Sequence, residues 1–316
     1  FSVLRSLTLV AFLNAVGTMS AWGASTTVTA EFSPDPANPM TNEFKNTTVN
    51  AGYCRYFPYV CVANGFFSLH LGPNSAANAT IQAHHTDPRK GAMFKIPTDW
   101  RTLEVTNTTT GEKEPLDVRI SGFSVNQVFP VPAGDISGPG GHETMWTGGA
   151  WRYAPDPCRG NYTQMNWART YMAYWHFPEN TGVCAKQARF DIPDFRYQEM
   201  SFTYELRTPN PLGMSTGDYI GAINYTVGPG ADFDFGDVMI PSDPLSTINF
   251  RLKVQHHLKV EIPPGGNKIE LVPQGGWQAW LNHGRRPTRL FRDQTFHMSA
   301  SSRFKMQLEC QYAAPG

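Results

Sequence analysis

Apolar and polar positions alternate in short runs along most of this chain. Residues 26–32, 67–71, 103–106, 117–123, 201–207, 219–227 and 249–262 set β-branched or aromatic residues against polar ones. A period of two puts one face of a strand on a core and the other in water. Between these runs lie Pro-, Gly-, Asn- and Asp-rich stretches such as 33–39 (SPDPANP), 136–141 (ISGPGG) and 227–234 (VGPGADFD), which mark turns. Many short strands separated by turn signals predict an all-β protein of sandwich or Greek-key type. One stretch stays open. Residues 162–174 contain no Pro or Gly, and their aromatic and Met residues do not alternate cleanly. They read as a helix or as a strand with aromatic flanks.

The pattern breaks near 237–244 (DVMIPSDP), and a new alternating run follows with Phe250, Leu252, Val254, Leu258 and Val260. This predicts two tandem β-sandwich domains, one over 25–242 and the beginning of a second over 247–316. The second stretch is short for a free-standing sandwich, so a truncated C-terminal domain is expected. Residues 1–24 have the order of a secretory signal: Arg5 as the single charge, an apolar stretch from Leu7 to Val16, then small residues around Ala21, Gly23 and Ala24. That stretch is too short to span a bilayer, and no later one is long and apolar enough. The chain opens on Phe1 and closes on Pro315-Gly316, and both ends are expected to be incomplete.

Composition narrows the function. Charged residues are 16% of the chain, and Lys plus Arg equal Asp plus Glu at 26 each, with no basic cluster. Strong binding to nucleic acid or anionic membranes needs concentrated Lys and Arg and is disfavoured. An exported chain meets an oxidising compartment. The local cysteine pairs are Cys54 with Cys61 and Cys158 with Cys184, a pairing that spacing alone does not prove. Cys310 is left over, either as a free thiol or with a partner beyond Gly316. No CxxC spacing of a zinc or redox site occurs.

The search for catalytic chemistry is negative: no GxSxG elbow, HExxH, P-loop or GxGxxG is present. No catalytic residue, metal ligand or cofactor is assigned. His84, His85 and Asp87 would need a loop to share an ion, because adjacent strand residues point to opposite faces. His256 and His257 face the same objection. Asp232, Asp234 and Asp237 have the alternating oxygens of a calcium loop, but Phe233 and Phe235 between them equally suit a half-buried strand end. Five NxT sequons, at Asn46, Asn78, Asn107, Asn161 and Asn224, keep a glycosylated eukaryotic alternative open.

The densest chemical feature is the segment 146–177. Trp146, Trp151, Tyr153, Tyr162, Trp167, Tyr171, Tyr174, Trp175 and Phe177 lie there with Arg152, Arg159, Arg169 and His176. Sugars lay C–H faces on aromatic rings, and Arg offers planar donors to carboxylated sugars. Trp146, Trp151, Arg152, Tyr153, Trp167, Arg169, Tyr171 and Trp175 are therefore the candidate ligand-binding residues. The competing reading is that these rings fill a core.

Two further stretches carry a resemblance. Residues 206–228 (LRTPNPLGMSTGDYIGAINYTVG), followed by FDFGD, are similar to the closing strands of fimbrial adhesin domains, where a G-x-Y-x-G-x-[IL]-x-Y-x-V pattern precedes the linker to a pilin domain. Residues 252–277 (LKVQHHLKVEIPPGGNKIELVPQGGW) resemble the opening of the pilin domain in colonisation-factor (class 5) tip adhesins. The resemblance implies an adhesin sandwich followed by an Ig-like pilin domain that lacks its last strand. It also implies a periplasmic chaperone, an outer-membrane usher and an adjacent pilin subunit as partners through strand addition. The family's pilin domain carries a disulfide, of which Cys310 would be the early half. The implied function is binding of a host glycan or glycoprotein at a fimbrial tip, without enzymatic activity. A minor pilus subunit that starts or caps assembly, and a secreted carbohydrate-active enzyme, are the alternatives.

Overall fold

A computed structural model describes residues 24–35, 42–261, 269–284, 286–301 and 304–307. The signal-like residues before Ala24 and the leftover Cys310 lie outside the described residues. The described chain is mostly β, as the alternation predicts. In chain order the elements up to residue 145 are β1 (Ala24–Phe32), β2 (Lys45–Asn46), α1 (Tyr53–Tyr56), α2 (Pro58–Asn64), β3 (Ser68–His70), β4 (Ser75–Ala77), β5 (Ala92–Phe94), β6 (Arg101–Asn107), β7 (Lys113–Val128), α3 (Ala133–Ser137) and α4 (His142–Met145). Then come β8 (Arg159–Asn166), β9 (Thr170–His176), β10 (Cys184–Lys186), β11 (Arg196–Arg207), β12 (Gly217–Thr226), β13 (Met239–Pro241) and β14 (Leu245–Val254).

The main sheet runs β13-β4-β11-β7-β6-β12-β14-β1-β2, with β3 also on β11 and the β8–β9 hairpin also on β7. The long strand β7 is its spine. It pairs with β11 on one edge, and on the other with β6 over 113–118 and then β9 over 122–128. Residues 118–125 are buried on both faces. The polar residues of this alternating run, Arg119, Ser121 and Ser124, are therefore buried along with its apolar ones.

β14 shows cleaner period-two physics. Ser246, Ile248, Phe250, Leu252 and Val254 face the core, while Thr247, Asn249, Arg251 and Lys253 do not. It pairs antiparallel with β12 over ten residues and parallel with β1 over nine. The division expected at 242–247 is therefore corrected. The strand read as opening a second domain lies between the first and the twelfth strands of the main sheet. The Pro- and Asp-rich stretch misled because it is a turn, between β13 and β14, within one core.

Beyond Val254 the described elements are short: β15 (Leu258–Glu261), β16 (Val272–Pro273), α5 (Gly276–His283), β17 (Leu290–Phe291) and β18 (His297–Ala300), with β15 on β18 and β16 on β17. Over 269–301, Pro273 is the single buried residue among the described residues.

The open stretch 162–174 resolves as a hairpin of two strands, β8 and β9. The disulfides are Cys54–Cys61, at seven residues' separation, and Cys158–Cys184, at 26. Helices α1 and α2 carry the first bridge, and the alternation gave no sign of them. Their residues Tyr53, Cys54 and Cys61, with Phe57 between the two helices, pack with Tyr174 into a small second core.

Candidate functional site

Strand β9 is buried on both sides, and its period of two sorts the aromatic segment. Tyr171, Ala173 and Trp175 enter the main core, while Tyr174 enters the second core against Tyr53, ring centroids 4.9 Å apart. Trp146, Trp151, Tyr171 and Trp175 are only 2%, 1%, 1% and 1% exposed. Three main-core rings gather on Phe94: Trp151 at 5.0 Å, Trp175 at 4.6 Å and Tyr197 at 5.2 Å. The Trp175 indole N–H donates to the Trp151 carbonyl at 2.6 Å. Burying an indole removes some 150–250 Å² from water, worth about 4–6 kcal/mol. Four of the eight candidate residues thus serve the core and offer no face to a ligand. Residue type alone does not separate a core ring from a surface ring.

The other four are accessible. Trp167 is 57% exposed and Tyr153 45%, Arg169 is exposed, and Arg152 is half-buried. Trp167 sits at the tip of the β8–β9 hairpin, whose turn closes with Trp167 N–H to the Thr170 carbonyl at 2.9 Å. The tip is bolted to the chain after β7: Phe129 N–H donates to the Arg169 carbonyl at 2.9 Å, and Ala133 N–H to the Ala168 carbonyl at 2.6 Å. From below, His142 Nε2 donates to the Trp167 carbonyl at 2.8 Å.

A contact chain links that tip to Tyr153. His142 is followed by Glu143, whose carboxylate meets the Arg152 guanidinium at 3.0 Å, and that guanidinium lies 4.6 Å from the Tyr153 ring centre. Arg152 N–H donates to the Tyr171 hydroxyl at 3.1 Å, and that hydroxyl donates in turn to Gln164 on β8. The His142 ring lies between Phe129 and Tyr171, at 5.1 and 5.3 Å, and burial holds its pKa below the ordinary histidine value. A neutral imidazole that donates from Nε2 follows. The structure therefore links Arg152 and Tyr153, through Glu143 and His142, to the fastened hairpin tip that carries Trp167 and Arg169.

The loop that leads to Arg152 has its own clamp. Lys186, 5% exposed, donates to the carbonyls of Gly148, Gly149 and Ala150 at 3.3, 2.8 and 3.0 Å. Burial pushes its pKa down to about 8. His142, Glu143, Gln164 and Lys186 are the supporting residues that the sequence did not single out. Their roles come from long-range packing, which leaves no local spacing.

The metal candidates have other employment. Asp232 is paired with Arg101, and both Asp234 and Asp237 with Arg89. His85 accepts from Ala188 N–H at 3.2 Å and lies 3.0 Å from the Asp87 carbonyl, pinning its own loop. His256 is 2.8 Å from the Met214 carbonyl. Among the described residues no three His, Cys, Asp or Glu side chains converge on a metal-sized site. Of the sequons, Asn107 is 1% exposed, and the side chains of Asn46 and Asn161 donate to Tyr204 and Tyr53. A buried amide such as that of Asn107 is no glycan acceptor, whereas Asn46 and Asn161 are half-buried and Asn78 and Asn224 are exposed.

Comparison with protein-family models, with curated proteins and with solved structures returned no match.

Proposed function

We propose that this protein is a non-enzymatic adhesin that binds a host glycan or glycoprotein through the surface of Arg152, Tyr153, Trp167 and Arg169. The observation that carries the reading is Trp167, 57% exposed on a hairpin tip whose backbone is fastened on two sides. A large indole left in water on fixed backbone forgoes burial energy, and an apolar face with placed polar groups beside it is what a saccharide ring uses. Two disulfides and a β-rich core suit an exported chain. On the resemblance of 206–277, its place is a fimbrial tip, reached through the periplasm with a chaperone, an outer-membrane usher and an adjacent pilin subunit as partners. In that arrangement an adhesin-type sandwich is followed by an incomplete Ig-like pilin domain that begins after Val254.

One observation favours a second reading. The burial of Trp146, Trp151, Tyr171 and Trp175 is what a minor pilus subunit without a receptor would also show. A glycan array probed with the full chain and with Trp167→Ala and Arg152→Ala separates the two. The adhesin reading expects specific binding that weakens at least about tenfold, roughly 1.4 kcal/mol, in Trp167→Ala. A folded chain that binds no glycan favours the structural subunit.

A further inference from the structure

A second aromatic and arginine constellation lies away from the hairpin surface, at the C-terminal end of β11. A cavity of about 640 Å³ opens there between Tyr204–Thr208, the strand β2 with its neighbour Phe44, and Phe67. Its volume is within the usual range for small-ligand sites, roughly 300–1,000 Å³. On one wall stands Trp100, and the Arg207 guanidinium lies 3.9 Å from its ring centre.

The charges in this wall are unequally engaged. Glu205 also lines the cavity, but its carboxylate is taken by Arg119, with Nε donating to Oε2 at 2.9 Å and Nη2 to Oε1 at 2.6 Å. Arg119 gives a further bond to the Phe177 carbonyl at 3.3 Å. Arg207 has no carboxylate within ion-pair distance among the described residues, and its side chain is exposed. The Arg207 guanidinium thus lies over an indole face, with its N–H groups left to donate to a ligand. That fork matches a carboxylate in bidentate fashion, and its conformational cost is already met by the stacking.

The remaining wall specifies what the carboxylate is attached to. Phe44 and Phe67 give apolar surface, while half-buried Asn46, whose amide donates to the Tyr204 hydroxyl at 3.0 Å, gives a polar edge. Glu43 adds an acceptor. A pyranose ring with a carboxylate presents C–H faces, hydroxyl donors and one anionic fork acceptor, and so meets each of these groups. We infer that the Trp100–Arg207 groove is a second binding site, for an acidic saccharide, with the sugar carboxylate on Arg207.

The test uses the full chain and three small probes by ligand-observed NMR and calorimetry: glucuronic acid, N-acetylneuraminic acid and uncharged glucuronamide. The first two share the carboxylate and differ in ring type, so their ratio separates a hexuronic source from a nine-carbon one. Saturable binding of at least one acid is expected, with glucuronamide at least about tenfold weaker than glucuronic acid if the hexuronic acid is the ligand. Arg207→Gln should weaken the acid at least about tenfold, and Arg207→Lys, which keeps charge but loses the fork, should not restore it. Trp167→Ala should leave this binding unchanged, which makes the site's fate independent of the hairpin surface. An unaltered melting curve for Arg207→Gln shows that the fold is kept, and Trp100→Phe provides a second variant on the same wall. The inference is overturned if neither acid binds, or if acid binding survives Arg207→Gln.

Discussion

Replacing Asp234 by alanine tests how the turn after β12 is held. The Asp234 carboxylate belongs to a residue only 2% exposed and accepts four hydrogen bonds: from Arg89 at 2.9 and 3.2 Å, from Gly230 N–H at 3.0 Å and from Gly236 N–H at 2.9 Å. Removing one partner of a buried ion pair costs about 3–5 kcal/mol. Arg89 keeps Asp237 at 2.6 Å and is about a third exposed, so the lower end applies, about 3 kcal/mol. At about 2–4 °C per kcal/mol for a domain of this size, the melting temperature should fall by about 6–12 °C. Thermal melts by near-ultraviolet circular dichroism, with urea titrations at fixed temperature, read this out. Burial raises the Asp234 pKa, but the bonds from Arg89, Gly236 and Gly230 outweigh it and hold the group below its ordinary value. With the folded pKa depressed, the stabilisation is complete above the unfolded carboxylate's pKa of about 3.9. It is lost as pH falls through the folded value, so wild type and variant should converge in acid. EDTA should leave the melt unchanged. A loss under about 1 kcal/mol, or a calcium-dependent melt, would refute the reasoning.

Other substitutions probe the support of the hairpin surface. A Cβ on Gly160 would overlap the Arg152 carbonyl, so Gly160→Ala should destabilise the fold by about 1–3 kcal/mol and shift the Arg152 amide resonance, whereas an unshifted resonance would contradict the packing. Lys186→Met strips three carbonyls of their donor but also removes a buried ammonium, for a net loss of about 2 kcal/mol in urea titration. Because the folded Lys186 pKa of about 8 lies below its ordinary 10.5, the unfolded chain holds the proton longer. Wild-type stability should therefore rise between those pH values, and Lys186→Met should lack that rise. Under non-reducing denaturing conditions the chain should titrate one thiol of its five cysteines, and five would contradict both bridges.

The strands were legible because sheets with one covered face leave a period of two, as in β14, where Ile248, Phe250, Leu252 and Val254 alternate with polar residues. The segment 162–174 was ambiguous because β9 is covered on both faces, so its sequence has no polar side to show. The turn at 237–244 looked like a domain boundary because Pro and Asp mark turns and linkers alike. Only the ladder of β14 on β12 and β1 distinguishes the two. The site was half legible. Aromatic density singled out the segment 146–177, but whether Trp151 or Trp167 meets solvent depends on Phe94 and His142, which arrive from other parts of the chain. The groove at Trp100 and Arg207 left no signal, since its members are joined only by the curl of the sheet.

The most direct test of the glycan-binding account is a calorimetric titration of the full chain with a glycan found on the array, repeated with Trp167→Ala and Tyr153→Ala. The account predicts saturable binding that both substitutions weaken at least about tenfold without changing the melting temperature, since both rings are exposed. Equal affinity in all three proteins would contradict it.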